Sequence, residues 1–182
     1  MHFEILTTEH LQLRKLTPEV FDYIHAFYSD KELLHFLGLE SESELQKEKD
    51  KHEKGSSTYN KSFLYFQIID KKTDTIIGWC GYHTWYLEHN RAEIGYGLFD
   101  ENYKRKGYMT EALKPIIHYG FHKMNLHRME AFLSVENIPS LKLITKFGFK
   151  QEGILRDHYF KNGIMEDSAV FSLLKNEYEK SI

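Results

Sequence analysis

Met109, Ala112, Leu113, Ile116, Ile117, Gly120, Phe121 and Met124 fall three and four residues apart, a spacing that lays them along one stripe of an α-helix. The stripe is continuous, so the helix has to bury it against something. A run with strand character stands on each side, Arg91 to Phe99 before and Arg128 to Glu136 after. Two strands of one sheet joined through a helix run parallel. One parallel joint is therefore expected near the middle of the fold.

The rest of the pattern is antiparallel. Leu11 to Leu16 alternates apolar and polar, as a half-buried strand does, and Thr17-Pro18-Glu19 reads as an N-cap with proline in the first turn. Val20, Phe21, Ile24, Phe27 and Tyr28 follow at helical spacing. Glu40 to Thr58 is strongly polar and predicts a solvated helix, then a loop at Gly55-Ser56-Ser57. Phe63 to Asp70 and Thr75 to His83 form a hairpin across the polar turn Lys71–Asp74. After the crossover come a short helix, Pro139 to Phe147, and a last pair of strands, Phe149 to Asp157 and Met165 to Leu174. The fold class expected is α+β: a mixed, mostly antiparallel twisted sheet with one parallel strand–helix–strand joint and flanking helices. No linker divides the 182 residues, so residues 1–182 are read as a single domain.

Charge narrows the function. With 24 basic and 27 acidic residues, the chain lacks the positive field that nucleic acid requires. It holds no apolar run of membrane-spanning length and no basic, apolar leader at Met1–Ile5, so a cytoplasmic protein without a membrane partner is expected. Cys80 is the only cysteine, which excludes an intrachain disulfide. No metal ligation is expected. His118 and His122 are four apart but lie opposite the apolar stripe, on a solvated face.

Chemistry concentrates at the start of the amphipathic helix, in Lys104-Arg105-Lys106-Gly107-Tyr108-Met109-Thr110. A helix N-terminus presents unpaired N–H groups and a positive dipole end to an anion. Gly107 lets a ligand approach the backbone, and three bases add charge. The same segment also reads as a surface turn with exposed bases. In the preceding strand Gly95 and Gly97 share one face and Ile94, Tyr96 and Leu98 the other. Glycines there suit either a slender ligand beside the backbone or tight packing. Downstream, Asn137-Ile138-Pro139-Ser140 forms an N-cap and first turn, and Gly148 suits a C′ position. That turn delivers Asn137 and Ser140 to the end of the second parallel strand, where ligands of open sheets collect.

These residues resemble the GNAT family. Lys104 to Met109 resembles its acetyl-CoA loop, (Gln/Arg)-x-x-Gly-x-(Gly/Ala), and Asn137-x-x-Ser140 through Lys146-Phe147-Gly148-Phe149 resembles the helix and turn that follow. Thr8 to Arg14, Glu93-Ile94-Gly95-Tyr96 and Asn162-Gly163 are similar to the RimJ/RimL branch, the N-terminal acetyltransferases of ribosomal proteins. The resemblance implies acetyl-CoA as cosubstrate, held by Tyr96, Leu98, Lys104, Arg105, Lys106, Gly107, Tyr108, Met109, Thr110, Asn137, Ser140 and Lys146. It implies an amine acceptor, such as a ribosomal or other protein N-terminus, that attacks the thioester directly. Backbone N–H groups near Tyr96–Leu98 would receive the oxyanion.

Three departures stand out: Lys104 for Gln or Arg, Met109 for a small residue, and Pro115 inside the helix. The tyrosine that many members place four residues beyond Ser140 is Ile144 here, which leaves Ser140 to protonate the thiolate. Glu93 is the candidate base, acting through a water, or else a structural carboxylate paired with Arg91 or Arg128. Glu130, Asp157, His158 and Tyr159 stand in reserve on the presumed acceptor side. Trp79, Tyr82, Trp85 and Tyr86 line an acceptor pocket or fill the core. Acceptor pockets are expected from the early helices, the Glu40–Thr58 segment and the Trp85–Asn90 loop. The rival functions are a small-amine acetyltransferase (polyamine, amino acid or antibiotic) and a CoA-binding module without catalysis. Pairing of sheet edges or loops would make a homodimer.

Overall fold

The computed structural model describes residues 1–55, 57–58 and 60–180. Among these residues eight strands form one sheet: β1 (Ile5–Thr7), β2 (Leu11–Leu16), β3 (Lys61–Asp70), β4 (Thr75–Tyr86), β5 (Arg91–Leu98), β6 (Arg128–Ser134), β7 (Lys150–Lys161) and β8 (Ile164–Leu174). Their order across the sheet is β1-β2-β3-β4-β5-β6-β8-β7, and every pairing is antiparallel except β5 with β6. The parallel joint falls where the amphipathic stripe requires it.

Among the described residues six α-helices flank the sheet: α1 (Pro18–Phe27), α2 (Asp30–Leu37), α3 (Glu42–Glu53), α4 (Tyr108–His122), α5 (Ile138–Lys146) and α6 (Lys175–Glu179). Thr17 caps α1 by accepting from the Val20 N–H, with Pro18 in the first turn. Polar α3 buries Leu45 alone, as its composition predicts. Ser56, in the loop expected after it, lies outside the described residues.

The main departures from expectation are short elements. β1 has three residues, too few for alternation to register. α2 is announced by the capping box of Ser29 and Glu32 and closed by Gly38 at φ 69°. β4 runs on to Tyr86, so the loop expected at Trp85–Asn90 is shorter. Pro115 does not end α4, which continues past it to His122.

Two apolar clusters sit on opposite faces of the sheet. Leu11, Leu13, Phe66, Ile68, Tyr82 and Ile94 meet the α4 stripe of Ala112, Leu113, Ile116, Ile117 and Phe121. On the other face Leu16 and Phe63 meet α1, α2 and α3 through Phe21, Ile24, Leu33, Phe36 and Leu45. Alternation along β3 decides the split, since Leu64, Phe66 and Ile68 point one way and Phe63 and Tyr65 the other. Among the described residues no helix is long and apolar enough to cross a membrane.

Candidate active site

β5 and β6 pair at Arg91 with Arg128, Ala92 with Met129 and Glu93 with Glu130, and the pairing stops there. β5 continues to Leu98 and β6 to Ser134, so the parallel strands part beyond Glu93 and Glu130. Ile94–Leu98 thus keeps β4 on one side and, among the described residues, has no strand on the other. A groove of about 530 Å³ opens beside this parted stretch, between the first turns of α4 and α5.

The α4 end of the groove has the features of an anion site. Gly107 is the N-cap in the left-handed region (φ 86°), and no side chain caps the helix there. The first N–H groups of α4 are therefore left to a ligand or to water. A Cβ at Gly107 would meet nothing within 4 Å, so glycine serves the backbone conformation rather than clearance. Lys104, Arg105, Tyr108, Met109 and Thr110 line this part. The Lys104 ammonium bonds Glu101. Met109 also packs against the core, so its bulk is partly turned inward.

The α5 end brings hydroxyls. Asn137 accepts from the Ser140 N–H at 3.2 Å, fixing the first turn of α5. Among the described residues the Ser140 hydroxyl makes no hydrogen bond. Tyr96 reaches from β5 and donates to the Ser140 carbonyl at 3.4 Å, joining the two walls. Burial pushes the Tyr96 phenol up to about 12, so it stays protonated in neutral solution. Tyr96, Leu98, Asn137 and Ser140 all border the groove. Lys106 and Lys146 are exposed and do not border it, the latter standing in the last turn of α5.

Glu93 points to the opposite face, with Gly95 and Gly97. Neither Arg91 nor Arg128 takes it: both bind Glu130, at 2.5 and 2.8 Å, and Arg128 also forks onto Glu152. Instead Glu93 Oε1 lies 3.3 Å from His83 Nε2. Side chains explain the glycine at 95: a Cβ there would come within 2.6 Å of His83 Cδ2 and 2.9 Å of Trp79 Cη2. Tight packing of aromatic rings is thus what Gly95 accommodates on this face.

Over that face α1 and α3 enclose two cavities of about 310 and 380 Å³, which share Phe21, Glu48, Lys51 and Tyr65. Trp79 walls the first and His83 the second. Burial, with Glu48 and Glu93 adding to it, pushes the Tyr65 phenol up to about 12. Residues of α1, α2 and α3 line these cavities, and residues 85–90 do not. Tyr82 belongs to the core, donating to the Ile116 carbonyl at 2.8 Å, and buried Cys80 has its thiol pushed up by burial. Of the reserve residues, Glu130 is held by two arginines, whereas Tyr159 lies close enough for Glu93, after burial, to raise its phenol. Sequence reasoning missed Glu48, Tyr65 and His83. The alternation Trp79, Gly81, His83 in β4 was the available signal for the last.

A mixed sheet parted beyond a short parallel seam, with an uncapped helix end in the opening, offers a ligand free strand backbone and a helix N-terminus side by side. The chain belongs to the GNAT N-acetyltransferase family, residues 10–150 matching the acetyltransferase (GNAT) domain. It is 38% identical to an uncharacterized N-acetyltransferase, p20, of Bacillus licheniformis, over 96% of this chain and 98% of that one. It is 30% identical to the ribosomal-protein-serine acetyltransferase of Escherichia coli, over 66% of this chain and 63% of that one. A GNAT-family acetyltransferase of Bacillus anthracis superposes with a TM-score of 0.66 at 26% identity, covering 96% of this chain and 100% of its own. The spermidine/spermine N-acetyltransferase of Vibrio cholerae shares the fold, with a TM-score of 0.68 at 23% identity over 94% and 98% of the two chains.

Proposed function

We propose that the chain transfers the acetyl group of acetyl-CoA to the α-amine of a protein or peptide N-terminus. The observation that carries this reading is the parted seam, with a groove for the donor on one face of β5 and Glu93, free of arginine, on the other. In the groove the α4 N–H groups, Lys104 and Arg105 receive the pyrophosphate, and the pantetheine arm lies along Ile94–Leu98. Attack of the amine nitrogen forms the N–C bond as the carbonyl π pair moves to oxygen, which backbone N–H groups near Tyr96–Leu98 stabilise. Collapse breaks the C–S bond, and the second proton that the nitrogen loses on becoming an amide passes to the departing thiolate, which the Ser140 hydroxyl hydrogen-bonds. Glu93 takes the proton that the ammonium must lose.

An α-amine titrates near ~8 and a lysine-type amine near ~10, so the first needs the weaker base. That suits a site offering one carboxylate. The likeness to the Escherichia coli ribosomal-protein acetyltransferase supports the same acceptor class. A second reading, a small polyamine, is favoured by Glu48 and Asp22 facing Tyr65 and Phe63 in the α1–α3 cavity. The cytoplasm is the proposed place of action, consistent with a lone cysteine kept buried.

The test is thiol release and mass spectrometry with acetyl-CoA, a panel of N-terminal peptides, and spermidine. Acetylation of peptide α-amines is expected. Modification confined to spermidine would replace the acceptor, and saturable acetyl-CoA binding without thiol release from any amine would leave a non-catalytic module. Reversing both charges, Lys104→Glu with Arg105→Glu, should weaken acetyl-CoA roughly tenfold in calorimetry, as loss of charge-assisted contacts does. Unchanged affinity would move the phosphate site elsewhere.

A further inference from the structure

His83 stands where β4 slips register against β5, between Tyr82 and Thr84. Bulges re-aim side chains, and here the residue inside the slip reaches Glu93. The ring lies against Gly95, with Nε2 3.3 Å from Glu93 Oε1 and Nδ1 3.3 Å from the Thr84 hydroxyl. Glu93 has 12% of its side chain exposed and His83 30%, and only the imidazole borders the cavity under α1 and α3. The carboxylate is therefore the inner partner, and the imidazole stands between it and the cavity.

A base that turns over must also lose the proton it takes. Glu93, nearly enclosed, has little water of its own, whereas an imidazole can accept a proton on one nitrogen and release one from the other. We propose that His83 is a positioning and proton-relay residue of the acetyl transfer, orienting the Glu93 carboxylate and passing to the cavity the proton that Glu93 removes from the acceptor ammonium. This rests on Glu93 being the base of the proposed reaction. In that step an ammonium N–H bond breaks and a carboxyl O–H bond forms, freeing the nitrogen lone pair for the thioester. The carboxyl proton then moves to His83 Nε2, and Nδ1 gives one up toward the Thr84 hydroxyl and cavity water. Glu93 is again a carboxylate and His83 is neutral with its proton now on Nε2, donating to Glu93; exchange with cavity water returns that proton to Nδ1 before the next turnover, and the net product is one proton in solution.

The surroundings suit the relay. Tyr65 of β3 faces the pair, Tyr159 of β7 lies near Glu93, and both phenols are raised, chiefly by burial. They stay neutral in the working range and do not compete for the proton. Across the cavity stand Glu48, Lys51 and His52 of α3 and Asp22 of α1. Lys51 pairs with Glu48 at 3.6 Å and His52 with Asp22 at 2.9 Å, so each charged group has its own partner.

The experiment compares the wild-type protein with His83→Gln and His83→Ala, using whichever amine the wild type acetylates best. Rates are taken across pH, and acetyl-CoA affinity by calorimetry. Glutamine keeps a hydrogen-bond donor for Glu93 in a similar volume but cannot titrate. Both variants should bind acetyl-CoA as the wild type does, lose about tenfold or more in kcat, and lose a titrating group from the kcat–pH profile. Added imidazole should restore part of the His83→Ala rate. A His83→Gln protein with wild-type kcat and profile overturns the relay, whatever His83→Ala does. If His83→Ala fails to fold, the glutamine variant decides alone. A wild type that acetylates no amine refutes the acetyl-transfer reading itself, a result distinct from an active wild type with an indifferent glutamine variant.

Discussion

Glu93 and Glu130 stand opposite each other on parallel strands and meet different fates. Glu130 gathers both Arg91 and Arg128, while Glu93 is left to a histidine. Two arginines hold the Glu130 carboxylate in the seam, whereas the Glu93 carboxylate meets an imidazole instead. Glu93→Gln should lower kcat by about a hundredfold, the scale of a lost general base, while leaving acetyl-CoA affinity unchanged; pre-steady-state thiol release checks the first and calorimetry the second. Ser140→Ala should likewise lower turnover more than affinity, because its hydroxyl is uncommitted whereas its N–H is held by Asn137. An unaffected rate removes the role. Sequence spacing places all four charged residues near one another but cannot assign the pairs. Which carboxylate the arginines reach is a matter of side-chain geometry, so spacing alone leaves both roles of Glu93 open.

Among the elements, α3 is lightly anchored for its twelve residues, with Leu45 as its one buried residue. Its last turn instead stacks His52 on His25 of α1, ring centroids 4.1 Å apart, and bonds His52 to Asp22. Burial, with His52 adding repulsion and Lys49 a little more against Glu48 and Asp22, holds His25 below its ordinary range. A histidine so depressed binds its proton more readily in the unfolded chain, so its contribution is whole above about pH 6.5 and declines as pH falls below that. Amide exchange in α3, corrected for intrinsic rates, should therefore quicken relative to α4 between pH 7.5 and pH 5.5. Equal protection at both pH values would show that the stack does not hold the helix. The elements read best from sequence are those with long periodic patterns, α4 and the central strands. α2 escaped because eight residues carry little periodicity, although Ser29 and Glu32 marked its start. The groove proposed for the donor is lined by residues whose motifs are contiguous in the chain, which is why the sequence points to it. The opposite face was not, because Glu48, Tyr65, Trp79 and His83 come from α3, β3 and β4 and meet only on folding.

Across the whole molecule, one sheet carries both apolar clusters, and its far side is tied by Arg128 forking onto Glu152, which also accepts from Ser172 at 2.6 Å. Arg128, then Ser172, bring the Glu152 carboxyl down to about 2 against a small opposing effect of burial. Since its folded value lies below the unfolded one, the stabilisation is present above about pH 4.5 and is lost as pH falls toward 2. Denaturant midpoints should fall from pH 5 to pH 3 in the wild type and fall less in Glu152→Gln; equal slopes would mean the pair contributes nothing. We expect residues 1–182 to unfold in a single calorimetric transition, because helices α1–α3 and α4 cover two sides of the same strands. The mixed sheet and its parallel joint were legible from the strand–helix–strand order, whereas the place at which β5 leaves β6 was not, since each strand is itself unbroken. That cut has a mechanical meaning. The molecule is two rafts lashed together over three rungs, and the remaining rungs of β5 are offered to a guest. Whatever lies in the gap becomes part of the lashing, so its grip and the cohesion of the protein are one quantity seen from two sides.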